Sequence, residues 1–181
     1  MIKAFQLNDC QDVGFHFSKS SFRQMKTIIN NIVLLEPEIP LNTGNIARSC
    51  VVTGSALHLI HPLGFNTDSK HLKRAGMDYW DKIDVYHYNN FDDFVEKNNN
   101  PSLILTSSKV ERCYSEVEYP PGVFIVFGKE SAGIPLNILE RYPDSCVRIP
   151  MIPGERCLNL ASSAAVVLYE ALRQQGFVGM S

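Results

Sequence analysis

Arg48 and Glu130 are the two charged residues whose surroundings in the sequence favour action on a bound ligand. Arg48 follows a loop that contains prolines and a glycine, and Glu130 lies between Gly128 and Gly133. Glycine lets a backbone approach a ligand closely, a guanidinium donates hydrogen bonds to anions, and a carboxylate accepts them. Other interpretations stay open on spacing alone: the glycines serve as turn residues, Arg48 is a solvated helix charge, and Glu130 is an acid at a helix entry.

Apolar residues close to the last of these loops are suited to form a pocket wall. Ile149, Met151 and Leu158 offer the apolar and thioether contacts that can bury an adenine ring. The loop from Pro150 to Leu158 contains two prolines and a glycine, which exclude regular structure for several residues. Together with the glycine loop, these residues predict a ligand pocket built from loops.

Several enzyme classes lack their motif in this sequence. The first apolar strand is followed by prolines and an isolated TGN, so neither a dinucleotide fingerprint nor a GK[ST] phosphate loop is present. The run from Gly128 to Gly133 does not form the GxSxG elbow of a serine hydrolase. His58 and His61 have no cysteine or carboxylate at ligand spacing, so they read as ordinary strand-end histidines and no metal site is predicted.

Alternating strand and helix patterns position the loops. The predicted strands are Ile28 to Leu35, Ala56 to Ile60, Val85 to Tyr88, Leu103 to Thr106, Val123 to Phe127, and Cys146 to Ile149. The predicted helices run from a cap at Asn42 or Thr43 to Thr53, from Asp92 to about Asn98, from Pro135 to Arg141, and from Asn159 to Gln174. This alternation predicts a mostly parallel α/β sheet with helices on both faces, in which ligands bind at the carboxyl ends of the strands.

Length, charge and cysteine usage narrow the class of protein. A chain of 181 residues suits one domain, expected over residues 27–178 after an N-terminal extension over residues 1–26, with Met25 as an alternative start. A formal net charge of −2 means that any RNA contact has to rest on a local basic patch. No apolar run approaches the roughly 20 residues that cross a membrane. The five scattered cysteines are typical of a reducing cytoplasm.

Three segments resemble the motifs of the SPOUT family of RNA methyltransferases. They are NTGNIAR at Asn42 to Arg48, FGKESAGIP at Phe127 to Pro135, and RIPMIPGERCLNLASSAAVVLYEALRQ at Arg148 to Gln174. The similarity is closest to the TrmL-type enzymes, which methylate the ribose 2′-hydroxyl of the tRNA wobble nucleotide, position 34. The resemblance implies a C-terminal trefoil knot, S-adenosyl-L-methionine as methyl donor with S-adenosyl-L-homocysteine as product, and no metal. It also implies a homodimer that acts on the tRNA anticodon stem-loop, in the cytoplasm that the cysteine usage predicts.

The resemblance further implies roles for individual residues. Arg48 is expected to orient a phosphate or stabilise the developing alkoxide, because a guanidinium stays protonated at neutral pH. Asn45 and Glu130 are expected to fix its direction. Tyr169 matches a tyrosine implicated in catalysis, with a core or interface aromatic as the alternative. Six residues are expected to line the cofactor pocket, largely through their backbone: Leu105, Gly128, Ile149, Met151, Cys157 and Leu158.

A cluster of basic residues is the expected RNA contact. Lys70, Lys73 and Arg74 lie within five residues and are predicted to bind phosphates, with a solvated helix face as the alternative. Lys129 stands where many members of the family have proline, and His61 stands in the place of a usual glutamate. These departures bear on substrate preference more than on the reaction.

Two other functions compete with the methylation of tRNA. Related SPOUT enzymes methylate a ribose of ribosomal RNA, usually with an added N-terminal RNA-binding domain. A protein that keeps the knot but not catalysis would bind RNA without modifying it. The presence of Asn45, Arg48, Gly128 and Glu130 favours catalysis.

Overall fold

The computed structural model describes residues 30–65 and 82–181. The strands in these parts are β1 Asn31–Leu35, β2 Ala56–Ile60, β3 Val85–Tyr88, β4 Leu103–Thr106, β5 Phe124–Phe127 and β6 Cys146–Val147. The α-helices are α1 Pro40–Thr53, α2 Phe91–Lys97, α3 Leu136–Leu139 and α4 Leu160–Gln174. The predicted extension over residues 1–26 and the predicted RNA contacts Lys70, Lys73 and Arg74 lie outside the described residues.

The six described strands form one sheet in the order β3-β2-β1-β5-β4-β6. Every pair of neighbouring strands is parallel. This confirms the predicted parallel sheet. The loops after β1, β4, β5 and β6 therefore all lie at the carboxyl ends of the strands. The trefoil knot implied by the resemblance stays a prediction.

Helices cover both faces of the sheet, as predicted. Helices α1 and α4 pack on one face, where a core cluster includes Ile46, Leu168 and the strand residue Ile125, all fully buried. Helices α2 and α3 pack on the other face, where Phe94 and Leu105 are fully buried. Burial on both faces explains why the central strands are continuous apolar runs instead of alternating patterns.

Several element boundaries differ from those expected from the sequence, most clearly those of α1, β6 and α3, which spans Leu136–Leu139 instead of Pro135 to Arg141. Helix α1 begins at Pro40 and its N-cap is Ile39, with no side-chain cap, so the predicted cap at Asn42 or Thr43 was wrong. Proline is accepted at the first helical position because its missing N–H would have had no partner there. Strand β6 ends at Val147, because Thr106, the last residue of its partner β4, pairs with Val147.

His58 lies inside β2, so the expectation of a strand-end histidine was wrong. Its side chain is buried, its Nδ1 lies 2.8 Å from the Tyr88 hydroxyl, and its Nε2 lies 3.1 Å from Oδ1 of Asn31. The Asn31 oxygen can only accept, so Nε2 carries the proton and Nδ1 accepts from Tyr88. Asn98 in turn donates to the Tyr88 oxygen at 3.1 Å. The network satisfies a neutral imidazole.

The stability of the protein is therefore expected to depend on pH through His58. Burial lowers the pKa of His58 to about 4, whereas the same side chain in the unfolded protein has a pKa of about 6.5. Between these values the unfolded chain binds a proton that the folded protein excludes. The free energy of unfolding is therefore full above about pH 6.5 and falls by about 3 kcal/mol as pH drops toward 4.

Urea unfolding at pH 7.5 and at pH 4.5 measures this difference. The variant His58→Phe has no proton to exclude, so its free energy of unfolding should change less between the two pH values. An equal change in the variant and the wild type would show that other groups control acid stability.

No helix in the described parts of the chain is long and apolar enough to cross a membrane.

Candidate active site

A cleft of about 590 Å³ opens at the carboxyl ends of β4, β5 and β6. Its volume lies within the roughly 300–1,000 Å³ typical of small-molecule sites. Three segments supply most of the walls: residues 106–109 at the end of β4, residues 128–133 after β5, and residues 149, 151 and 156–160 after β6. The parallel sheet brings these loops together because its strands end at the same edge.

Most of the predicted cofactor residues line this cleft. They are Gly128, Ile149, Met151, Cys157 and Leu158. Leu105 is different, because its side chain is fully buried in the core on the α2 side of the sheet, and its successors Thr106 and Ser107 line the cleft instead.

Gly128 is fixed by a close approach of the chain to itself. A Cβ added at this position would overlap the backbone of Gly133 and Ile134. The N–H of Gly133 also donates to the carbonyl of Lys129 at 2.8 Å, which closes the loop. Glycine is therefore the residue that fits here, and the tight loop forms one wall of the cleft.

Glu130 binds the beginning of helix α1. Its Oε2 accepts from the N–H of Glu38 at 2.8 Å, and its Oε1 accepts from the N–H of Ile39 at 3.3 Å. Oε1 also accepts from Nδ2 of Asn42 at 2.9 Å. A carboxylate at a helix N-terminus satisfies donors that have no partner within the helix and interacts favourably with the helix dipole. Glu130 thus holds the helix that carries Arg48.

Asn42 and Asn159 complete this network, and the sequence reasoning missed both. Nδ2 of Asn159 donates to Oδ1 of Asn42 at 2.9 Å, and Oδ1 of Asn159 accepts from the N–H of Ala161 at 2.9 Å. Asn159 is thereby the N-cap of α4, a role that its place before an apolar helical pattern predicts. Asn42 connects α1 to the loop after β5 and to α4. These segments are far apart in the sequence, so no local sequence pattern predicts the contacts.

Arg48, Asn45 and Tyr169 lie on exposed helix surfaces. Arg48 and Asn45 are three residues apart on α1, so they share a face of that helix. Tyr169 is 45% exposed on α4. Among the described residues that line the cleft, Glu130 is the one predicted catalytic residue. A single chain thus brings together the cofactor candidates and leaves the arginine and the tyrosine on its surface.

The site contains no evident metal centre in the parts of the chain that are described. Within residues 30–65 and 82–181, no group of three or more His, Cys, Asp or Glu side chains is placed to hold a metal ion. The four described cysteines, Cys50, Cys113, Cys146 and Cys157, are free thiols.

Comparison with known protein families assigns the chain to one of them. The model of the SpoU rRNA Methylase family matches residues 30–169. The chain belongs to the SpoU rRNA methylase family. The family match covers all three motif segments except the last residues of α4 and confirms the resemblance drawn from the sequence.

Relatives of this SpoU-family chain extend the comparison. The tRNA (cytidine(34)-2′-O)-methyltransferase of Saccharophagus degradans is 48% identical over 150 residues, which cover 82% of this chain and 97% of the relative. A structure that gives insights into "the 2-OH methylation of C/U34 on tRNA" matches with a TM-score of 0.76 and 39% identity, and covers 82% of this chain and 97% of that one. An AdoMet-bound rRNA methyltransferase from Sinorhizobium meliloti matches with a TM-score of 0.71 and 26% identity, and covers 80% of this chain and 56% of that one.

Proposed function

We propose that this protein transfers a methyl group from S-adenosyl-L-methionine to the ribose 2′-hydroxyl of nucleotide 34 in tRNA. The observation that carries the proposal is the similarity to a tRNA (cytidine(34)-2′-O)-methyltransferase over nearly the whole length of that relative. The chain covers 97% of the Saccharophagus relative but 56% of the Sinorhizobium rRNA methyltransferase, which favours the tRNA function.

The cleft fits the proposed cofactor. S-adenosylmethionine, when bound, supplies an electrophilic methyl group on a sulfonium. Ile149, Met151 and Leu158 supply apolar surface for an adenine ring, and the close-packed backbone at Gly128 presents peptide groups instead of side chains. Cys157 also lines the wall, and Leu105 is proposed to contribute through its backbone only. The product is S-adenosyl-L-homocysteine.

The proposed catalytic contribution of the chain is positioning and charge. Arg48 donates hydrogen bonds from its guanidinium to a phosphate or to the developing alkoxide. Glu130 and Asn42 hold the start of α1 and thereby fix the helix on which Asn45 and Arg48 lie. Tyr169 is proposed to contact the substrate from α4. In-line transfer then depends on holding the ribose oxygen close to the methyl group.

A homodimer is proposed to complete the site. Exposed apolar residues lie on the outer sides of α1 and α4, where Leu41 is 58%, Val52 60% and Val166 37% exposed. Such residues are favoured in interfaces between subunits. Arg48 and Tyr169 lie on the same two helices, so an interface formed by these helices would place both side chains beside the partner subunit. Light scattering tests the dimer, because a monomer has a mass of 20.4 kDa.

The proposal also covers the location of the protein, its RNA contacts and the knot. A tRNA-modifying enzyme of this kind acts in the cytoplasm, which the scattered cysteines also favour. Lys70, Lys73 and Arg74 are proposed to bind phosphates of the anticodon stem-loop. A trefoil knot in the C-terminal segment is proposed from family membership.

The test is methylation of defined tRNA transcripts by the purified protein. Transcripts with cytidine or uridine at position 34 are incubated with S-adenosylmethionine, and nuclease fragments are weighed by mass spectrometry. The expected result is one added methyl group on the ribose of nucleotide 34. A matched transcript with 2′-deoxyribose at that position should accept none.

Three outcomes would contradict the proposal. Equal methylation of the deoxy transcript would place the methyl group elsewhere. Activity only on ribosomal RNA fragments would support the rRNA function. Binding of tRNA and S-adenosylhomocysteine without transfer, with any prior modification of the tRNA supplied, would support a non-catalytic RNA-binding protein.

A further inference from the structure

The cleft loop is held by the segment that follows β1 at three consecutive residues. Lys129 Nζ lies 2.9 Å from Oε2 of Glu36. Glu130 accepts from the backbone at the start of α1, as described above. The N–H and the hydroxyl of Ser131 donate to the two oxygens of Glu38, each at 2.8 Å. We call the contacts between Glu38 and Ser131 the carboxylate clasp.

Glu38 is both a donor and an acceptor in its hydrogen bonds with the cleft loop. Its N–H donates to Glu130, while its carboxylate accepts from Ser131. The hydrogen bond from the Ser131 hydroxyl, followed by that from the Ser131 N–H, lowers the pKa of the Glu38 carboxyl group. Glu38 is thus an ionised acceptor at neutral pH, and hydrogen bonds to charged acceptors are stronger than those between neutral groups.

The backbone of Glu38 is fixed from its other side. The N–H of Gly64 donates to the carbonyl of Pro37 at 2.9 Å. A Cβ added at Gly64 would come within 2.7 Å of the Cα of Glu38, so the two chain segments are in direct contact. The clasp therefore joins the cleft loop to a segment that is packed on both sides.

Ser131 lines the cleft, whereas Glu38 is not among the described residues that line it. We propose that Glu38 is a positioning residue: through Ser131 it holds the loop 128–133 in the shape that binds the cofactor. This inference rests on the proposed function, because it assumes that the cleft takes S-adenosylmethionine. The ion pair of Lys129 with Glu36 is about one-third exposed on each side, so its contribution is small.

The experiment measures binding of S-adenosylhomocysteine to the purified full chain by calorimetry, without RNA. Glu38→Ala removes both acceptors of these solvent-exposed hydrogen bonds and is expected to weaken binding by about fivefold to tenfold. Ser131→Ala removes one of the two donors and is expected to weaken binding by about threefold. Ser131→Thr keeps the hydroxyl donor and is expected to bind more tightly than Ser131→Ala.

A matched control carries the same kind of change away from the cleft. Asp92 accepts from Arg141 at 2.8 Å on an exposed surface of α2. Asp92→Ala removes a carboxylate hydrogen bond without touching the cleft loop, so the dissociation constant should stay unchanged. In turnover assays, Glu38→Ala should raise KM for S-adenosylmethionine and leave kcat at saturating cofactor within about twofold.

The outcomes separate this inference from the proposed function. If the wild type binds no S-adenosylhomocysteine, the proposed function fails. If the wild type binds it and both alanine variants bind equally well, the positioning role fails, even where Tm is lowered. If Glu38→Ala does not fold, the comparison of Ser131→Ala with Ser131→Thr decides, and equal affinity of these two variants overturns the proposal.

Discussion

Replacement of Arg48 by alanine is expected to lower kcat for tRNA methylation by at least about 100-fold. The guanidinium is proposed to act on the substrate, so the dissociation constant for S-adenosylhomocysteine should stay within about twofold of the wild-type value. The position of Arg48 supports this separation, because it is exposed on α1 and is not among the described residues that line the cleft. Methyl transfer under single-turnover conditions and calorimetry measure the two quantities.

Arg48→Lys is the matched control for this prediction. Lysine keeps the positive charge but lacks the planar set of five donors, so kcat should stay well below that of the wild type. If lysine restores full activity, charge alone is sufficient. Normal turnover of Arg48→Ala would remove Arg48 from the mechanism. A parallel loss of cofactor affinity would instead indicate that α1 has moved.

Replacement of Gly128 by alanine is expected to weaken cofactor binding by at least about 100-fold, because its Cβ would overlap the backbone of Gly133 and Ile134. This overlap forces the tight loop open, and that loop is one wall of the cleft. The strain is also expected to lower the free energy of unfolding by about 1–3 kcal/mol. Calorimetry with S-adenosylhomocysteine and urea unfolding measure the two effects.

Gly54→Ala provides the control for a general effect of losing a glycine. Gly54 ends α1 with φ of 66° and has no atom within 4 Å of an added Cβ. Its replacement strains the backbone and costs about 1 kcal/mol, but it should leave cofactor affinity unchanged. Wild-type affinity in Gly128→Ala would mean that the loop does not shape the cofactor site.

The strands were predictable where a single local pattern determines them. The bounds of β2, β3 and β4 agree with the sequence prediction residue for residue, because each is a short run rich in apolar, β-branched or aromatic residues between turn signals. Boundaries that depend on a partner were less accurate. Strand β6 ends two residues earlier than predicted, where its partner β4 ends. Asn42 does not cap α1, because its side chain binds Glu130 and Asn159.

The site was predictable in part for the same reason. The glycines, prolines and apolar residues that mark Gly128, Ile149 and Met151 are local signals. The contacts of Glu38 with Ser131 join residues 93 positions apart, and that of Asn42 with Asn159 spans 117 positions. Spacing within a segment carries no information on such pairs. Membership of the SpoU family was recognisable from motifs, whereas the geometry that makes Glu38 a candidate appeared only in the structure.

The order of the strands has a consequence for synthesis of the chain. Strand β1 is central and pairs with β2, which follows it closely, and with β5, whose Phe124 lies opposite Asn31. A ribosome adding roughly 5–20 residues per second needs roughly 5–20 seconds to make the intervening roughly 90 residues. During that interval an apolar strand edge of the nascent chain has no permanent neighbour. Chaperones that shield exposed strand edges should therefore have their largest effect on yield before Phe127 leaves the exit tunnel.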